Sequence, residues 1–244
     1  EAMDGGLKMS LDDMISTNRN NAAITLRRLG RMQEADKAQE EALAIRARAG
    51  GVKDSDQAAA ALRVYEESFL AQGRIEEAKV KLEEGLAMIR RLHAEKTESE
   101  GTFLISLGYC DNYSGKYEDA LTKHKRALHI FKKLRGTDCK ETGQAYENVG
   151  VSLQNLEREE EACENFAKAL KSKRAAFGGD DVRVADAILS MTQVMNPGPE
   201  DMMKMWDLLD EAHGIYTRAG NRGENAMRVQ ELRQHLVPLR ALFG

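Results

Sequence analysis

Four alanines, Ala35, Ala78, Ala120 and Ala162, stand 43, 42 and 42 residues apart, each inside a variant of one phrase. The phrase reads Gly30-Arg31-Met32-Gln33-Glu34-Ala35, then Gly73-Arg74-Ile75-Glu76-Glu77-Ala78, Gly115-Lys116-Tyr117-Glu118-Asp119-Ala120 and Glu157-Arg158-Glu159-Glu160-Glu161-Ala162. A small residue and a leucine follow each time, as Ala42-Leu43, Gly85-Leu86, Ala127-Leu128 and Ala169-Leu170. An internal period of this size means one supersecondary unit stacked on copies of itself, because a single helical hairpin cannot bury its own apolar face.

The residue types explain the phrase. Two antiparallel helices approach closely only where side chains are small, so alanine marks the crossing point and the small residue seven positions on serves the next contact. Met32, Ile75 and Tyr117, three before the alanine, are expected to fill the space between neighbouring hairpins. Glycine ends the preceding helix in a left-handed conformation, while Glu76-Glu77 and Glu159-Glu160-Glu161 suit the positive end of the helix that follows. Repeat four has Glu157 where the others have glycine, which predicts a turn either closer to helix geometry or more strained.

The expected order is a loose lead-in over residues 1–9, repeats at about 10–48, 57–93, 99–134, 141–177 and 182–219, and a terminal capping helix over 221–244. The chain opens on Glu1, as expected of a piece of something longer. In the last repeat helix A should cover Val182 to Met195, and Asn196-Pro197-Gly198-Pro199 should turn the chain into a helix from Glu200 to Arg218. Pro238 should kink or end the terminal helix. Three prolines, 5% aromatics and 31% charged residues favour an all-helical fold.

These hairpins resemble tetratricopeptide repeats, and their lengthened period resembles the subclass found in kinesin light chains. The resemblance implies an all-α, right-handed superhelical solenoid of about five helix-turn-helix hairpins plus the capping helix. It also implies a non-enzymatic protein-interaction scaffold with a concave groove lined by helix A residues. By register these are Asn20, Asn21, Arg27, Arg28, Arg63, Thr102, Tyr109, Asn112, Tyr113, Gln144, Asn148, Gln154 and Asn155. Amides both donate to and accept from a peptide backbone, tyrosines add contact area with a polar tip, and the arginines favour an acidic stretch at the repeat-one end. The alternative is a structural subunit of a large complex of cytoskeletal, motor or mRNA-export type that uses its ends and convex face, self-association included.

Other signals are weaker. Met9-Ser10-Leu11-Asp12-Asp13-Met14-Ile15 with Asn18-Arg19 resembles the helicase-binding motif of mRNA-export adaptors, and the same residues read as a capped first helix. No cofactor or metal is expected, since no His, Cys and carboxylate set has ligand spacing and no phosphate-cradling loop or nucleophile arrangement occurs. Cys110, Cys139 and Cys163 suit a reducing compartment, hence a cytoplasmic or nuclear location. A net charge of −4 gives no reason to expect nucleic acid, and no apolar run is long enough for a membrane. Lys123, Lys125, Arg126, Lys132, Lys133 and Arg135 read as a solvated face. His124 falls where other repeats have Leu82 and Phe166, and so reads as a packing residue.

Overall fold

A computed structural model describes residues 11–48, 59, 62–63, 69–70, 72–195, 199–221 and 223–243. Ten helices and no strand are found among them, which makes the chain an all-α helical repeat solenoid. The chain divides into two compact units, Glu1–Cys110 and Asp111–Gly244. The lead-in, the Ser10 cap and the loop between repeats one and two lie outside the described residues.

In the first unit α1 (Leu11–Arg28) packs against α2 (Met32–Arg48). Ala23, Ala35 and Ala38 meet between them with Leu26, so the small residues do bring the two backbones together. Ala59, Leu62, Arg63, Phe69 and Leu70 are helical and precede α3 (Ile75–Leu92), whose buried stripe is Ala78, Leu82, Gly85, Leu86, Met88 and Ile89. Helix α4 (Glu98–Tyr113) carries Phe103, Leu104 and Leu107 into the core. A methyl group added at Gly85 would lie 2.6 Å from Phe103 ring atoms, so at this position only glycine leaves room for the ring.

The second unit holds α5 (Tyr117–Arg135), α6 (Lys140–Asn155), α7 (Glu159–Phe177), α8 (Val182–Thr192), α9 (Pro199–Arg218) and α10 (Glu224–Phe243). Consecutive helices pack from α5·α6 through to α9·α10. One continuous core runs from Leu121 through Phe166, Ile188 and Leu209 to Val229 and Leu236. Met191, Met195, Met202 and Met205 are part of it, which accounts for most of the methionines clustered near the fifth hairpin. Met32, Ile75 and Tyr117 are only half-buried.

The turns that follow α1, Leu70, α4, α6 and α9 share one hydrogen-bond pattern. The left-handed residue donates to a carbonyl three back and the next residue to one five back, as in Gly30 N–H to Arg27 (2.9 Å) and Arg31 N–H to Leu26 (2.9 Å). This pair of hydrogen bonds satisfies orphan carbonyls of the helix end. The turn after α6 keeps the geometry without glycine: Glu157 sits at φ +59 and Arg158 still donates to Leu153 at 2.9 Å. Of the two expectations for that turn, strain is the one realised.

Two expected boundaries differ. Helix α8 stops at Thr192 instead of Met195, with the Thr192 hydroxyl donating to the Leu189 carbonyl at 3.0 Å. Helix α10 continues past Pro238 to Phe243, so the proline does not end it.

Candidate functional site

On α6 the 3.6-residue period sorts the side chains into two stripes. Ala145, Asn148, Val149, Ser152 and Leu153 are buried, whereas Gln144, Glu147, Val151, Gln154 and Asn155 are exposed or half-buried. Helix α4 repeats the arrangement, with Thr102, Ile105, Tyr109, Asn112 and Tyr113 on its accessible stripe. Within the second unit the Asn112 amide donates to Ser152 Oγ at 3.4 Å, which sets the C-terminal turn of α4 beside α6.

That joint is polar on its inner side. His124 of α5 is fully buried, and its Nδ1 lies 2.8 Å from Ser152 Oγ, so it serves as a hydrogen-bonded packing residue. Asp111, also fully buried, is paired with Lys123. On α6, Glu147 accepts from Lys173 of α7 at 2.8 Å and from Gln144 at 2.9 Å. The Lys173 and Glu147 side chains are only 7% and 15% exposed, so this pair is an inter-helix tie whose separation would strand a buried charge.

The expected groove residues divide accordingly. Tyr113, 68% exposed, and the exposed Asn155 and Gln144 are open to solvent, with Gln154 and Asn112 half-buried beside them. Asn148 is a correction: at 2% exposure it lies inward with Ala145 and Val149, and its Oδ1 accepts from Gln144 at 3.2 Å. Its register three residues after Ala145 and four before Ser152 puts it on the packed stripe. Val151, absent from the sequence-derived set, holds an accessible position instead. Counting in steps of 3.6 from Gln144 would have found it.

In the first unit Asn21, Arg28 and Arg63 are exposed. Asn20 is half-buried and accepts from Gln39 at 2.8 Å, and the Thr102 hydroxyl is turned back to the Glu98 carbonyl at 3.0 Å. Tyr109 is half-buried. Arg27 is a second correction. Its side chain is 9% exposed and faces the buried Asp36 at 3.6 Å, so its charge is committed to the hairpin and not offered to an acidic partner. Asp36 also accepts from Gln72 at 3.0 Å and lies 3.7 Å from Arg74, a polar knot that the phrase pattern did not signal. The Arg74 guanidinium lies 4.4 Å from the Phe69 ring centroid, and the two line a cavity of about 510 Å³ with Glu40, Glu76, Glu77, Val80 and Lys81.

The three cysteines are free thiols. Burial pushes the Cys163 thiol above its usual range, which makes it a poor nucleophile. Among the described residues no His, Cys, Asp and Glu group could hold a metal ion, and no helix is long and apolar enough to cross a membrane.

The tetratricopeptide repeat profile matches residues 13–91 and 99–175. No curated protein matches the chain by sequence. Among solved structures, the nearly identical TPR-like repeats of a kinesin light chain candidate from Podosopora anserina superpose with a TM-score of 0.69 at 14% identity, over 87% of this chain and 99% of that one. The Rap conjugation gene regulator of plasmid pLS20, in complex with the Phr* peptide, gives 0.70 at 13% identity over 98% and 64%. The apo form of RapI gives 0.69 at 11% identity over 93% and 84%. At these identities the likeness is one of fold.

Proposed function

Because the chain belongs to the tetratricopeptide repeat family, we propose that it is a non-catalytic scaffold that holds an extended segment of a partner protein along the accessible stripes of its A helices. The observation that carries this reading is the second unit's joint between α4 and α6, where Tyr113, Gln144 and Asn155 are exposed and Gln154 is half-buried while Asn112 and Ser152 tie the helices together. An extended backbone meets donors and acceptors there without regard to its own side chains, and Tyr113 adds the apolar area that usually dominates peptide affinity. The Rap regulator of the same fold, bound to the Phr* peptide, supports a peptide as the ligand class. Three free thiols fit work in the cytoplasm or nucleus.

The test is a peptide-display selection against the full chain, followed by fluorescence anisotropy on the selected peptides. Tyr113→Ala and Asn155→Ala should each weaken binding, Tyr113→Ala by about tenfold or more. Unchanged affinity in both variants, with helical circular dichroism intact, would sink this reading.

A further inference from the structure

Helix α5 separates its charges along its length. Glu118 and Asp119 occupy its first turn, and from Ala120 to Arg135 it carries no acidic residue. Its buried stripe is Ala120, Leu121, His124, Ala127, Ile130 and Phe131. The opposite stripe presents Lys125, Arg126, His129, Lys132 and Lys133, all exposed.

None of these five is drawn into an ion pair among the described residues, whereas Lys123 on this same helix is paired with Asp111. The Lys132 ammonium lies 5.9 Å from the Tyr146 ring centroid. The helix dipole accounts for cations in the last turn, where Lys132 and Lys133 lie, but its influence fades within that turn and does not reach Lys125 and Arg126. Helices α3 and α7, which open with the same phrase, differ: α7 offsets Lys168 with Glu164 at 3.4 Å, and α3 offsets Lys81 with Glu84 at 3.4 Å.

We infer that this face of α5 is a docking surface for an acidic peptide segment of a partner, separate from the A-helix stripes. Lys125 to Lys133 spans about 12 Å of helix axis, with neighbouring cations about 5–6 Å apart. Carboxylates on one side of an extended chain recur about every 7 Å, so a short acidic stretch can meet these cations in turn. Single-stranded nucleic acid fits less well. Its binding relies on exposed aromatic platforms, the stripe has none, and a chain of net charge −4 repels a long polyanion beyond the patch.

The test uses a fluorescein-labelled peptide of glutamates and aspartates, its glutamine–asparagine counterpart and a labelled oligothymidylate, each titrated into the full chain at low and at physiological salt. The acidic peptide should bind, weaken as salt rises, and lose about tenfold or more in affinity on combined Lys125→Gln, Lys132→Gln and Lys133→Gln substitution. The neutral peptide should not bind, and Tyr113→Ala should leave the acidic peptide's affinity unchanged, which separates this surface from the one proposed above. Absence of binding, equal binding by the glutamine variant, or tighter binding of oligothymidylate than of the peptide would each overturn the inference.

Discussion

Replacing Glu157 by glycine should stabilise the protein, although it removes a side chain and adds none. Glu157 is the one described non-glycine residue at positive φ, +59, and it occupies the position that Gly30, Gly73, Gly115 and Gly220 fill in sister turns. A side chain in the left-handed region costs about 1–2 kcal/mol, because its Cβ crowds the following carbonyl. Glycine returns about 0.5–1 kcal/mol of that through the greater freedom it loses on folding. The net expectation is a gain of about 1 kcal/mol, near 2–4 °C in melting temperature for a chain of this size. The matched control is Gly115→Ala, where φ is +72 and nothing lies within 4 Å of the added Cβ, so backbone strain acts without a clash. Urea unfolding followed by circular dichroism should move the two variants in opposite directions by similar amounts. A neutral or destabilising Glu157→Gly beside a destabilising Gly115→Ala would refute the reasoning.

Three further outcomes are expected. A Cβ at Gly150 would fall 2.8–3.0 Å from three Phe166 ring atoms, so Gly150→Ala should cost about 1–3 kcal/mol by overpacking, read from the same urea curves. Burial pushes the Glu100 carboxyl up, but hydrogen bonds from Lys96 and Arg90 outweigh it and hold the group below its ordinary 4.5. A carboxyl lowered by folding stabilises above 4.5 and loses that contribution as pH falls towards its folded value, so Glu100→Gln should flatten the acid limb of the stability–pH curve. Burial and then the hydrogen bond to Asp186, at 2.6 Å, drive the Tyr216 phenol well above its usual range. The bonded neutral hydroxyl therefore persists through neutral and mildly alkaline pH, and Tyr216→Phe should cost about 1–2 kcal/mol at pH 7 in thermal unfolding.

The fold could be read from the sequence because its determinants are local and repeated. Alanine at the crossings, glycine at the reversals and acids at the helix starts each name their place without reference to distant residues. The anomaly at Glu157 was visible for the same reason, since a phrase repeated four times exposes any departure. Less of the candidate site could be read. Asn148 and Gln144 are both polar and four residues apart, and hydrophobicity does not distinguish a buried amide held by Gln144 from one facing solvent. Arg27 appeared free because its partner Asp36 sits across the turn, in a slot where the other repeats have Lys79, Leu121 and Cys163. The basic stripe of α5 was visible as composition, but its lack of counter-charges depends on tertiary neighbours.

The reversals that close after α1, Leu70, α4, α6 and α9 join atoms no more than five residues apart in sequence. Such contacts give the polypeptide a low contact order, so each corner can form early and little loop entropy must be spent before its bonds are made. Synthesis from the ribosome can then complete hairpins one after another without waiting for the C-terminus. Within the second unit, deuterium should in turn enter the terminal α10 sooner than α6 and α7, which have packed neighbours on both sides.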